Sequence, residues 1–159
     1  MAASPNQSST LIDPRGPRFG AAITTLVLAS ALIIGPGWGW ILLGLQAVVF
    51  GLGSLLGLAH QPYGQVFRRF VRPRLGPPRE LEDERPPRFA QSVGLGFALV
   101  GLLGVALGAP IVFYLATGFA LVAALLNAAF DFCLGCELYL VGQRLRHRVS
   151  PAGARAEAR

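Results

Sequence analysis

Between Phe19 and Phe67 the chain carries no Asp, Glu, Lys or Arg, and between Phe89 and Phe130 it carries none again. Nothing constrains the fold more. Each uncharged stretch is long enough for two helical spans of about 20 residues, the length that crosses roughly 30 Å of hydrocarbon. A composition that is 53% hydrophobic and 14% charged cannot cover a soluble globule of this size with polar surface, so the bilayer is the expected solvent. Turn signals split both stretches: Gly35-Pro-Gly-Trp-Gly39 interrupts the first and Gly108-Ala-Pro110 the second. The expected fold is all-α and integral to the membrane, with four transmembrane helices arranged as two duplicated hairpins. The spans run over Phe19 to Ile34, Trp38 to Ala59, Phe89 to Gly108 and Ile111 to Phe132. The first of these is short, about 24 Å at helical rise. Arg15 and Arg18 followed by an apolar run with Ala29-Ser-Ala31 also resemble a signal peptide, but a second apolar span follows where a polar mature region would begin.

The resulting organisation is an N-terminal segment (residues 1–18), a first hairpin (19–59), an Arg- and Pro-rich loop (60–88), a second hairpin (89–141) and a basic tail (142–159). All fourteen basic residues are Arg, confined to the N-terminal segment, the loop and the region from Arg144 onward. Both hairpin tips are uncharged. The positive-inside rule then predicts both termini and the central loop on the cytoplasmic side, so the net charge of +6 records topology. Arg68, Arg69, Arg72 and Arg74 suit anionic lipid headgroups. No nucleic-acid partner is expected, because these Arg flank spans and have few aromatic stacking partners.

The segment Asp13-Pro-Arg-Gly-Pro-Arg-Phe19 returns seventy residues later as Asp83-Glu-Arg-Pro-Pro-Arg-Phe89, with five identities in seven positions. Each copy precedes the first helix of a hairpin and enters from the same side, which predicts a two-fold relation about the membrane normal. A fainter echo relates Gly64-Gln65 to Gly142-Gln143 and would set Cys133 and Cys136 opposite Leu55 and Leu58. Small residues supply the packing seams: Ala116, Ala120, Ala124 and Ala128 in a row expected to continue through Phe132 to Cys136, with Gly53-x-x-x-Gly57 and Gly104-x-x-x-Gly108 elsewhere.

Cys133 and Cys136 are the only cysteines. Their i, i+3 spacing at the end of the fourth span puts both thiols on one helix side, within reach of a disulfide or of one soft metal ion. Reducing conditions in the cytoplasm favour reversible chemistry over a structural bridge. One thiolate attacks and the other resolves the mixed disulfide. Arg144 and Arg146 favour a thiolate, whereas Asp131 and Glu137 oppose it. Asp131 and Asn127 form a polar i, i+4 row that supports a proton relay only if the helix breaks near Gly135; otherwise Asp131 is expected to pair with an Arg of the central loop. Gly135 lets another backbone approach. His60, at the end of the second span, would complete a thiophilic metal site with the two cysteines in an alternative reading, and His147 in the tail is a weaker candidate. Apart from that alternative, no cofactor is expected. A third reading makes the cysteines inert packing groups of a structural subunit.

In Asp13-Pro-Arg-Gly-Pro-Arg-Phe19, Phe67-Arg-Arg-Phe-Val-Arg-Pro-Arg-Leu-Gly-Pro-Pro78 and Phe132-Cys-Leu-Gly-Cys-Glu-Leu-Tyr139 the chain resembles a bacterial membrane family catalogued as domain of unknown function 4395. Leu138 stands where Met is often found. The resemblance implies a compact four-span fold in the cytoplasmic membrane and association with thioredoxin-like and sulfurtransferase (rhodanese-like) proteins. It supplies no reaction. The expectation is therefore a membrane-embedded thiol/disulfide or sulfur-relay component acting through Cys133 and Cys136, with a soft-metal-ion binder or transporter and a structural subunit as rivals.

Overall fold

The computed structural model describes residues 10–78 and 80–149, with side chains of the last helix as far as Leu145. Arg79, the side chains of Arg146 and His147, and the tail from Ser150 onward lie outside the described residues. Four helices are long and apolar enough to cross a bilayer: α1 (Arg15–Ile34), α2 (Gly39–Gly51) with its π-helical extension Leu52–Leu56, α5 (Arg85–Ala106) and α6 (Pro110–Phe130). Between α2 and α5 lie α3 (Pro62–Val66), a second π-helical turn (Phe67–Val71) and α4 (Arg72–Leu75); α7 (Leu134–Val149) closes the described chain. The protein is an all-α, multi-pass membrane protein.

Several boundaries differ from those expected, each for a local reason. Helix α1 begins at Arg15, so it has 20 residues and spans fully. Its backbone N–H donates to Asp13 Oδ1 at 3.1 Å, which satisfies one free N-terminal donor. The same device recurs where Arg85 N–H donates to Asp83 Oδ1 at 2.9 Å, starting α5 four residues before Phe89. The second span stops at Leu56 because Gly57 turns to φ +91°, a backbone that side chains other than glycine rarely adopt. The fourth starts at Pro110, whose missing N–H costs nothing in a first helical turn, and ends at Phe130, two residues early. Helix α7 runs through position 142, where the tail was expected to begin.

Outward-facing Leu26, Ile33 and Phe119 are 69%, 86% and 62% exposed, as lipid-facing side chains must be. The interior is built from Leu28, Leu43, Ala47, Phe50, Ala98, Phe113 and Ala120. Small residues set the spacing: a Cβ at Gly101 would meet Leu43 and one at Gly104 would meet Val112. Polar side chains inside this apolar bundle bond to one another. Gln46 Nε2 donates to Thr24 Oγ1 at 3.2 Å, Tyr63 O–H donates to Gln46 Oε1 at 2.9 Å, and Gln61 Nε2 donates to Gln91 Oε1 at 3.1 Å.

A short antiparallel pair joins the residues ahead of the two hairpins, β1 (Leu11–Ile12) with β2 (Glu82–Asp83), in the register Leu11 to Asp83 and Ile12 to Glu82. Ile12 thus faces the residue seventy positions on, its own counterpart in the sequence repeat. Antiparallel pairing of two copies of one segment about that central pair defines a local two-fold axis. Packing obeys it: α1 lies against α2 and α6, and α5 against α6 and α2. Arg18 Nε donates to Ala128 O at 3.1 Å and Arg88 Nε to Ser54 O at 2.7 Å, each reaching across the axis to the end of the other hairpin's second helix. The Phe19–Phe67 and Phe89–Tyr139 ring pairs both have centroids 5.7 Å apart. These contacts bring residues 10–18, the described part of the central loop and the start of α7 to one end of the bundle.

Candidate functional site

The turn from α6 to α7 carries the two cysteines. Helix α6 ends at Asp131 in the left-handed conformation (φ 58°, ψ 25°), which Asp tolerates better than most side chains. Asp131 N–H still donates to Asn127 O at 3.2 Å, and Phe132 N–H donates to Leu126 O at 3.3 Å, so the last carbonyls of α6 are not left bare. The chain then leaves helical geometry until Leu134. The cysteines do not end the fourth span as expected; they open a new helix, and the break lies at Asp131 to Cys133 rather than at Gly135. The small-residue row on α6 accordingly stops at Ala128 and does not reach Cys136.

Cys133 is the N-cap residue of α7. Its carbonyl accepts from Glu137 N–H at 3.0 Å and its Sγ accepts from Cys136 N–H at 3.3 Å. The Cα atoms are 5.2 Å apart and the two sulfurs are joined as a disulfide. Cys133 and Cys136 are both half-buried, while Gly135 between them is buried. A Cβ at Gly135 would stand 2.6 Å from Ala90 Cα, so only glycine lets α7 lie on the start of α5. The Cys-x-Gly-Cys geometry is therefore held by a backbone contact with the first helix of the same hairpin.

A cap position exposes Sγ to the N-terminal end of a 16-residue helix, where free N–H groups and the helix dipole favour negative charge. This replaces the arginines considered from sequence. Arg144 lies eight residues beyond Cys136, about 12 Å along the helix, and the Arg146 side chain is outside the described residues. Asp131 also has a different partner from the expected loop arginine. Its Oδ2 lies 3.9 Å from Arg18 Nη1 of α1, on an exposed edge. Glu137 sits in the first turn of α7, exposed to solvent. His60 is exposed at the far side of the pseudo-two-fold, with its Nδ1 2.9 Å from Leu56 O. Among the described residues no three of His, Cys, Asp and Glu converge on one metal position, so His60 is not gathered with the cysteines.

The repeat also aligns differently around the site. Gln61 N-caps α3 as Cys133 N-caps α7, and Phe67 stacks on Phe19 as Tyr139 does on Phe89. Cys133 and Cys136 therefore correspond to Gln61 and Gly64, not to Leu55 and Leu58. Where one hairpin has a disulfide, the other has a buried amide bonded to Gln91. The reach of Arg18 to the end of α6 and the amides Gln46, Gln61 and Gln91 were not among the expectations from sequence. The amides had one available signal, since Gln46 and Gln61 lie within the first uncharged stretch and Gln91 opens the second.

Residues 12–144 match the model of a family described as Domain of unknown function (DUF4395). No curated protein and no solved structure matches the chain.

Proposed function

We propose that this chain, which belongs to the DUF4395 family, is a membrane-embedded thiol/disulfide component that exchanges electrons or a sulfane sulfur with a soluble thioredoxin-like or rhodanese-like partner. The observation that carries this reading is the cap geometry: Cys133 Sγ accepts the Cys136 N–H at the start of α7, with the second sulfur in bonding reach. In the reduced protein the Cys133 thiolate attacks a partner disulfide, forming one S–S bond while the departing partner sulfur keeps the electron pair. Cys136, as thiolate, then attacks Cys133 Sγ, closing the internal disulfide and releasing the second partner thiolate. Two electrons pass to the partner, and two protons follow. In sulfur transfer, Cys133 instead takes the terminal sulfur of a partner persulfide, and Cys136 releases it as sulfide by closing the same bridge.

Within this reading the end of the bundle that gathers the Arg segments faces the cytoplasm of a bacterium, with both termini inside and the chain in the cytoplasmic membrane. Arg68, Arg69, Arg72 and Arg74 lie on the π-helical turn after α3 and on α4, beside exposed Val66, Phe70 and Leu75. That mixture suits an interfacial segment resting on anionic lipid. Capture with a Cys136→Ser variant tests the function. A protein adduct on Cys133 that dithiothreitol releases is expected on non-reducing gels, and none from Cys133→Ser. Equal adducts from both variants, or full cellular function in the double Ser variant, would refute it.

A further inference from the structure

Cys133 borders a second space besides the solvent end of the bundle. Its turn, with Leu134, Gly135 and Leu138, covers a cavity of about 310 Å³ between α1, α5 and α6. Most of its wall is apolar, and Phe119 and Val122, 62% and 53% exposed, place one side of it against lipid. Three polar side chains interrupt that wall: Thr24, Gln91 and Asn127. Gln91 uses its oxygen to accept from Gln61, which leaves its amide N–H groups free to donate. The Asn127 side-chain amide has no hydrogen-bond partner among the described residues. The helix break at Asp131 is what sets Asn127 and Cys133 on the same cavity.

An apolar cavity with lipid-facing residues in one wall, amide donors inside and Cys133 of the dithiol in its lining is complementary to a lipophilic molecule bearing carbonyl acceptors. Its volume lies in the range of small-molecule sites. An acyl chain would fill the apolar wall and leave both amides unpaired in a low-dielectric setting, at a cost. We propose that the cavity is a quinone site, and that a membrane quinone is the terminal electron acceptor for the Cys133–Cys136 pair. This rests on the thiol/disulfide reading above and adds the second substrate to it. The Cys133 thiolate adds to a ring carbon, forming a C–S bond. Cys136, as thiolate, then attacks Cys133 Sγ; the S–S bond forms, the C–S bond breaks, and its electron pair stays on the ring. The two thiol protons end on the ring oxygens, so one dithiol and one quinone give one disulfide and one hydroquinone. Electrons thus run from a soluble dithiol partner, which reduces the Cys133–Cys136 disulfide by the reverse of the exchange above, through the pair, into the membrane.

The test uses the full-length protein, reduced and placed in quinone-free lipid nanodiscs, with decylubiquinone as the probe. Quinol formation, read by absorbance, is expected to match the loss of titratable thiols, two thiols for each quinol. Ala123→Phe, which fills the cavity wall, is expected to slow this by about ten-fold, equivalent to about 1.4 kcal/mol. Its oxidation by glutathione disulfide should stay at the unmodified rate. Should Ala123→Phe fail to assemble, Val93→Phe on the facing helix makes the same test. A quinone rate unaffected by filling the cavity overturns the site. Oxidation by glutathione disulfide but not by quinone overturns the quinone inference and leaves the thiol function standing, whereas oxidation by neither removes both.

Discussion

Cys133 and Cys136 have the same side chain and different surroundings. Only the Cys133 sulfur sits at a helix cap and accepts an N–H, so negative charge is stabilised there first. Iodoacetamide should therefore alkylate Cys133 faster than Cys136 in the reduced protein, by about ten-fold if the cap supplies about 1.4 kcal/mol; peptide mass mapping after short exposures reads the order, and equal rates would remove the asymmetry. Gly135 carries a second expectation at this scale. Gly135→Val drives a side chain into Ala90 and should cost about 1–3 kcal/mol, as overpacking does. Early tryptic cleavage at Arg144, with the four spans still protected, would show that α7 has lifted from α5. The need for glycine at 135 was legible in the Cys-Leu-Gly-Cys segment. The cap was not, because α6 is broken by a left-handed Asp131, a residue that gives far weaker warning of a helix end than Gly or Pro.

At the level of elements, the helix ends are completed by arginines from the opposite hairpin. Arg88 donates to Ser54 O and Leu55 O, and Arg18 donates to Ala128 O while lying 3.9 Å from Asp131. Both are partly solvent-exposed, so each contributes on the order of 1 kcal/mol rather than the value of a buried charge-assisted bond. Arg18→Met and Arg88→Met should lower the thermal midpoint in detergent by similar small amounts. Only Arg18→Met should also slow adduct formation at Cys133, because it loosens the end of α6 from which the cysteine turn departs. Equal effects of the two on the thiol chemistry would show that Arg18 acts on global stability alone. The Pro-Arg-Phe entry to each hairpin was plain in the sequence as a membrane anchor, and the two uncharged stretches located all four spans. What each Arg reaches was hidden, since that depends on which helices lie side by side, and hydropathy patterns are silent on neighbours across a bundle. The same blindness assigned Asp131 to a loop arginine.

At the scale of the whole molecule, one junction ties the halves together: β1 against β2, with Asp13 beneath it. Arg15 donates to both Asp13 carboxylate oxygens, at 3.0 and 2.9 Å, and Arg72 of the central loop lies 3.8 Å away. The hydrogen bonds from Arg15 hold the Asp13 carboxyl below its ordinary value, against the opposing effect of burial. A folded-state pKa below the unfolded one gives stability that is present above about pH 3.9 and lost as pH falls through the lower folded value. Proteolysis in the loop should rise as the medium is acidified below about pH 4, and Asp13→Asn should remove that step. The junction also fixes topology, because two strands in one hydrogen-bonded pair share a side of the membrane and α7 docks beside Ala90 at the same end. Single cysteines placed in a Cys133→Ser, Cys136→Ser background at Thr10, Pro77 and Leu145 should react with an impermeant maleimide from one face only. Those at Gly37 and Ala109, in the two hairpin tips, should react from the other. If Thr10→Cys and Pro77→Cys labelled from opposite faces, β1 and β2 would not pair in the membrane. The two-fold built on Ile12 and Glu82 would fall with them, and so would the proposed cytoplasmic placement of the cysteine pair.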